Sequence, residues 1–295
     1  MKAMFIKTLK RFLYKWIELP FKQLLVIQKP SLTPIQSKIL CMLNEQGIAV
    51  TTFDELFGTN ALSAVEEEYA RFYQNKTIQQ IKVDSSNGTA ENNPNYKNYN
   101  IRASSISPVQ SYQSILLRKG LNTQLGNIAF AYFKEHALLR YADYWLSIPV
   151  PVTERNYSQN WHRDPEDQRI LKVFVYLNDV THNNGAFEYI KGSHLNGPYN
   201  SVFPYDEKHP NNYPDEHELR KQISPDAFTV NEGKKGTVII CDTHGFHRGG
   251  YCKTGDRWLM TYMYNRASLI MSNQFKVDFR SKLTGTQKRF YATFG

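Results

Sequence analysis

Two short stretches restrict the fold more than any other part of the chain. One is Asn160-Trp161-His162-Arg163-Asp164. The other, far downstream, is Thr243-His244-Gly245-Phe246-His247-Arg248-Gly249-Gly250. On a β-strand, residues i and i+2 point to one face, about 6.6 Å apart along the strand. The His162 imidazole and the Asp164 carboxylate can therefore close on one metal ion, with His247 as the third donor. Two His and one carboxylate on one side of an ion leave the opposite positions open, which suits ferrous iron that must also hold a cosubstrate and oxygen. Arg257 follows His247 by ten residues, with Gly249, Gly250 and Gly255 between. Read as a hairpin, this returns Arg257 to the neighbouring strand, on one face with Leu259, Thr261 and Met263. A buried guanidinium needs an anion, and its planar fork matches a carboxylate at two points.

The text around these residues has its own pattern. Trp161 precedes the His-x-Asp. The strand Lys172-Val173-Phe174-Val175-Tyr176-Leu177 is followed by Asn178-Asp179, and Asn184-Gly185-Ala186-Phe187 leads to Gly192-Ser193-His194. This ordered set resembles the phytanoyl-CoA dioxygenase-like family of iron(II)/2-oxoglutarate oxygenases, over roughly residues 101–267. After the distal His, many relatives carry a small hydroxyl or Gly-Ser-Gly run, where this chain has Arg248-Gly249-Gly250. The resemblance implies a β-rich α+β fold: a double-stranded β-helix (jelly-roll, cupin-like barrel) flanked by helices, with an N-terminal helical extension. It implies Fe(II), 2-oxoglutarate and O2 as cofactor and cosubstrates, with His162, Asp164 and His247 on the metal and Arg257 on the distal carboxylate of 2-oxoglutarate. The implied reaction is hydroxylation of an unactivated C–H bond in a small molecule: a lipid, acyl thioester or natural product. Desaturation and demethylation begin with the same hydrogen abstraction. Related halogenases carry a small residue where this chain has Asp164, which favours hydroxylation.

Other readings compete. His244 is the rival of His247 if the strand register shifts, but the ten-residue step to Arg257 favours His247. His136, His182, His209 and His217 sit in helix or loop contexts, and His194 sits in a turn. His-Arg-Asp also occurs in protein kinases, but Pro165 follows here and no Gly-rich phosphate loop or Asp-Phe-Gly exists. A metal-dependent hydrolase could use the same three residues to activate water, without needing Arg257 or oxygen. A non-catalytic metabolite-binding barrel would not depend on the metal.

The whole chain sets wider bounds. Its 295 residues, 41% hydrophobic and 14% aromatic, suit one large domain. The expected division is an extension over 1–30 and one oxygenase domain over 31–295, with a barrel core at about 138–267 and a polar insertion at 191–235. Cys41, Cys241 and Cys252 are odd in number and far apart, so a reducing cytosol is the expected compartment. No stretch reaches the roughly 18 apolar residues of a membrane span. The formal charge of +9 has no nucleic-acid motif beside it, and no nucleic-acid partner is expected. Residues 1–25 carry apolar positions at helical spacing with Lys and Arg between them. This segment either lies on an anionic membrane surface or packs on protein. Helices are expected over 33–47 and 60–75, with Glu66-Glu67-Glu68 as a solvated face. A loop should span 84–100, and mostly helical chain should span 111–137 with breaks near Gly120 and Gly126. Tyr199, Tyr205 and Tyr213 in the insertion are candidates to contact a ligand or to pack the loop. The tail from Ser268 should cover the core.

Overall fold

The structure is a computed structural model that describes residues 29–87, 99–105, 109–110, 114–150, 155, 157–206, 213–266 and 276–277. The amphipathic segment over 1–25 and most of the tail expected as a cover lie outside the described residues.

Local chemistry sets the helices. The first, α1 (Pro34–Gln46), starts at Thr33, whose hydroxyl accepts from Gln36 N while Gln36 reaches back to Thr33 N, with Pro34 at the first position. It stops at Gly47, which is left-handed at φ 78°. A Cβ at Gly47 would sit 2.4 Å from the Tyr189 hydroxyl, so the stop is also a close approach. Then come α2 (Phe53–Phe57), α3 (Ala61–Tyr73), α4 (Lys76–Ser86), α5 (Ile115–Gly120), α6 (Thr123–Phe133) and α7 (Glu216–Gln222). Two of these, α2 and α4, were not anticipated; α2 is only five residues long, and α4 shortens the expected loop to the residues after Ser86. Gly120 ends α5, but Gly126 does not break a helix: it lies buried inside α6. The Glu66–Glu68 face also needs correcting. Glu68 accepts from Ser114 Oγ, Ile115 N, Leu116 N and Tyr144 Oη, so it caps α5 at the positive end of that helix.

The strands are β1 (Ile48–Thr52), β2 (Asn100–Arg102), β3 (Val109–Gln110), β4 (Ala137–Ser147), β5 (Leu171–Tyr176), β6 (Phe187–Ile190), β7 (Phe228–Asn231), β8 (Thr237–Asp242), β9 (His247–Arg248), β10 (Arg257–Arg266) and β11 (Lys276–Val277). Six form one antiparallel sheet in the order β1-β8-β5-β10-β4-β2. A second antiparallel sheet has the order β7-β6-β9. A short parallel pair joins β3 to β11. From β5 to β10 the chain passes back and forth between the two larger sheets, with two consecutive strands, β6 and β7, paired in the smaller. The β7 strand falls inside the stretch expected as an insertion, so the irregular part of that stretch ends before Phe228.

Strand alternation decides which face each residue serves. On β5, Val173 and Val175 pack in the cluster beneath the helices, while Phe174 and Tyr176 turn to the second sheet. On β8, Val238 and Ile240 take the helix side, and Ile239 and Cys241 take the other. Both faces of β5 and β8 are thus buried, which is why these strands read as near-continuous apolar runs. Phe174 and Phe187 bridge the two sheets with ring centroids 4.9 Å apart. Each such side chain withdrawn from water stabilises the fold by roughly 1.5–3 kcal/mol. The result is a β-rich α+β fold whose two antiparallel sheets enclose a cavity at one end. Among the described residues, no helix is long and apolar enough to cross a membrane.

Candidate metal centre and its cavity

His162 and His247 are brought together by the backbone itself. The segment around His162 adds to the edge of the smaller sheet through one antiparallel bridge. His162 N donates to His247 O and His247 N to His162 O, each at 3.1 Å. Asp164 N then donates to Thr243 O at 2.9 Å, two residues out of that register, across the turn before His247. His162 is therefore on a bridge rather than in a full strand, yet the two-residue spacing still turns Asp164 to the same side. The turn before His247 depends on Gly245, where a Cβ would come within 2.2 Å of the Tyr189 hydroxyl.

The three side chains each offer a ligand atom, all within 4.8 Å of one another. Asp164 Oδ2 lies 3.6 Å from His247 Nε2, and Asp164 Oδ1 lies 3.9 Å from His162 Nε2. Neighbouring donors on an octahedral ion with bonds of about 2.1 Å stand roughly 3 Å apart, so modest side-chain closure completes the set. Both rings are already oriented. His162 Nδ1 is 2.8 Å from Asn160 O, and His247 Nδ1 is 3.0 Å from Gly245 O. A carbonyl only accepts, so each Nδ1 carries the proton and each Nε2 keeps its lone pair for the centre. Burial and the neighbouring His162 push the His247 imidazole down to about 3, so it is neutral and ready to ligate at ordinary pH. The donor set therefore fits iron.

Lys172 was missed from the sequence. It lies on β5 with its ammonium 2.6 Å from Asp164 Oδ2. Burial alone would raise the Asp164 carboxyl, but Lys172, then His247 and His162, outweigh it and hold the group well below the usual carboxylate range. In turn, burial would lower the Lys172 ammonium, and Asp164 holds it above its ordinary value. A signal was present: Lys172 is the one charge in Leu171–Leu177, on the same side as Phe174 and Tyr176. A charge in a buried strand needs a partner.

Arg257 lines the same cavity and is 6% exposed. It does not arrive there by a hairpin. β9 belongs to the smaller sheet and β10 to the larger, so the ten-residue step crosses from sheet to sheet. Both ends still face the space between, because the cavity is walled by both sheets. Arg257 Nη1 donates to Gly185 O and Nη2 to Ser147 Oγ at 3.0 Å, while Nε has no partner. No carboxylate among the described residues pairs with it.

The rival histidine is placed elsewhere. His244 Nδ1 is 3.2 Å from the backbone carbonyl of Asp164, and its backbone N–H donates to Asp242 Oδ1. Arg248, next to His247, points away from the cavity and joins Glu188 and Glu216, with its guanidinium 4.3 Å from the Trp161 ring. That pairing ties α7 to the smaller sheet. Of the three tyrosines singled out, Tyr213 lines the cavity and Tyr199 packs beside Phe246 and Leu219. The cavity is about 310 Å³, at the small end of small-molecule sites.

A family model described as phytanoyl-CoA dioxygenase (PhyH) matches residues 52–258. No curated protein sequence matches the chain. Among solved structures, the fold is similar to EctD from S. alaskensis with 2-oxoglutarate and 5-hydroxyectoine, at TM-score 0.54 and 18% identity, covering 92% of this chain and 88% of that one. It is also similar to the epimerase SnoN in complex with Fe3+, alpha ketoglutarate and nogalamycin RO, at TM-score 0.54 and 13% identity, covering 79% of this chain and 84% of that one. At these identities the likeness is one of fold.

Proposed function

The chain belongs to the phytanoyl-CoA dioxygenase family, and on that premise we propose that it is an iron(II)- and 2-oxoglutarate-dependent dioxygenase that hydroxylates an unactivated C–H bond of a small molecule. Residues 31–295 act as one oxygenase domain, and its two larger sheets are the halves of a double-stranded β-helix, or jelly roll. The alternation of strands between the sheets supports that reading. The substrate is a lipid, an acyl thioester or a natural product. The observation that carries the proposal is the convergence of His162, Asp164 and His247 beside a buried guanidinium that has no carboxylate partner among the described residues.

Iron(II), 2-oxoglutarate and oxygen together supply the oxidising power for C–H hydroxylation. The protein's own groups do the rest. His162, Asp164 and His247 would hold the metal. Asn160 O and Gly245 O keep both imidazoles in the ligating tautomer. Lys172 holds Asp164 Oδ2 and keeps the carboxylate ionised. Arg257 would take the distal carboxylate of 2-oxoglutarate, with Ser147 fixing the guanidinium. Phe174, Tyr176 and Phe187 wall the cavity against bulk water, which strengthens each of these charged contacts.

The test is anaerobic purification with Fe(II), followed by 2-oxoglutarate turnover screened by mass detection against a metabolite library. Succinate should form only with iron and oxygen together, and one library member should gain one oxygen atom. Turnover that survives without oxygen would instead support a metal-dependent hydrolase and overturn the proposal.

A further inference from the structure

We propose that Arg102 takes an anionic group of the substrate, a carboxylate or a phosphate, and so sets the substrate class of this cavity. The inference rests on the oxygenase reading above, which assigns Arg257 and the metal centre to 2-oxoglutarate and has a substrate enter beside it.

Three arginine or lysine side chains line the cavity among the described residues: Arg102, Lys172 and Arg257. Lys172 is committed to Asp164. Arg257 and the metal centre together account for the two ends of 2-oxoglutarate. Arg102 is left over. Register places it on the cavity face: Arg102 lies opposite Trp145, and Trp145 lies opposite Leu259. Arg257 lies opposite Ser147, one same-face row further along β4. The two guanidiniums thus start from strands on either side of β4, in adjacent rows about 6.8 Å apart.

Arg102 is held in place without being neutralised. Its guanidinium stacks over the Trp145 ring, 4.5 Å from the centroid. Trp145 Nε1 donates to Asp143 Oδ2 at 3.2 Å, which fixes the ring beneath it. Asp143 is the carboxylate whose charge Arg102 meets, but its oxygens are taken by Ser104 N at 2.9 Å, Ser104 Oγ at 2.6 Å and that indole. The carboxylate that lines the cavity outside the metal set, Glu166, acts on Arg140, Tyr141 and Lys172. The Arg102 guanidinium makes no hydrogen bond or ion pair with any described residue. A planar fork, pre-oriented on an aromatic face at a cavity wall, is a receptor for a two-oxygen anion. With the cavity near 310 Å³ and 2-oxoglutarate inside it, the anion belongs to a small molecule or to one end of a longer one.

The experiment uses the full chain loaded with zinc in place of iron. A calorimetric titration with 2-oxoglutarate comes first and tests the oxygenase reading by itself; absence of binding there counts against that reading and not against Arg102. Hexanoate, hexyl phosphate and the neutral hexanamide are then titrated separately. Wild type should bind at least one anion and not the amide, and the preferred anion identifies a carboxylate or a phosphate. R102Q should weaken that anion by at least about tenfold, R102K should weaken it less, and 2-oxoglutarate affinity should stay unchanged in both. Equal anion binding by R102Q overturns the assignment. So does a wild type that binds neither anion, or a loss in R102Q that falls on 2-oxoglutarate instead.

Discussion

Arg163 and Arg257 are equally buried, each 6% exposed, but their surroundings differ. Arg163 lies between His162 and Asp164 in the chain and turns away from them. Its Nη1 donates to Ser193 O and His244 O, and its Nη2 to Tyr199 O, Asn200 O and Val202 O. It also stacks 3.9 Å from the Phe246 ring centroid. Five carbonyls from separate loop positions converge on one cation, so Arg163 fastens the 191–202 loop and the turn before His247 to the His162 segment. Arg257 has one carbonyl and one hydroxyl, and it faces a cavity. Burial of a cation therefore says little about its role. Nε is without a partner in both, so what separates the strut from the binding group is that the Nη donors of Arg163 are already spent on carbonyls, while Arg257 faces a cavity.

That contrast can be broken by experiment. The largest effect should come from His162, the immediate neighbour of Arg163. His162→Ala should remove bound iron and abolish succinate formation, beyond the roughly hundredfold that loss of an outer hydrogen-bonding partner costs. Melting should barely change. Metal analysis and succinate assay check this, and retained iron would sink the ligand assignment.

Next is Arg163→Met, which leaves five carbonyls short of a donor. It should destabilise the fold by about 3–5 kcal/mol, read by denaturant unfolding. An unchanged midpoint would show that the loop is held by something else. Arg257→Gln should do the reverse. The 2-oxoglutarate requirement should rise by about 30-fold or more, while stability falls by only about 1–2 kcal/mol for the lost hydrogen bonds. If both substitutions act equally on stability and on cosubstrate, the distinction fails.

The smallest effect is on pH. His247 is held near 3 in the folded chain, below its ordinary value. The unfolded chain therefore binds a proton that the folded one refuses between about pH 6.5 and 3. Stability of the metal-free protein should fall as pH drops through that window, by up to about 1.4 kcal/mol per unit. Asp164, held low, should keep its contribution until the pH is below about 4. His247→Gln should flatten the slope between pH 6.5 and 4 in pH-dependent urea unfolding; an unchanged slope assigns it to other groups.

Much of this was legible in the sequence, and for a local reason. The period of a strand is two, so His162 and Asp164 had to share a side, and Val173/Val175 had to part from Phe174/Tyr176. Thr33, Gln36 and Gly47 bracket α1 through contacts within a few residues. Motif order pointed to the family. What the spacing could not give was any fact that depends on a distant partner. Glu68 reads as surface until Ser114 arrives to be capped. Lys172 reads as an anomaly until Asp164 is beside it. The step from His247 to Arg257 reads as a hairpin, and only the assembled sheets show that it crosses from one to the other. His244 and His247 are three residues apart in one turn, and the backbone bridge to His162 selects between them. Neighbours along the chain fix which way a side chain points; its charge partner, and hence its role, is fixed only when remote segments meet in a medium that leaves no charge unanswered.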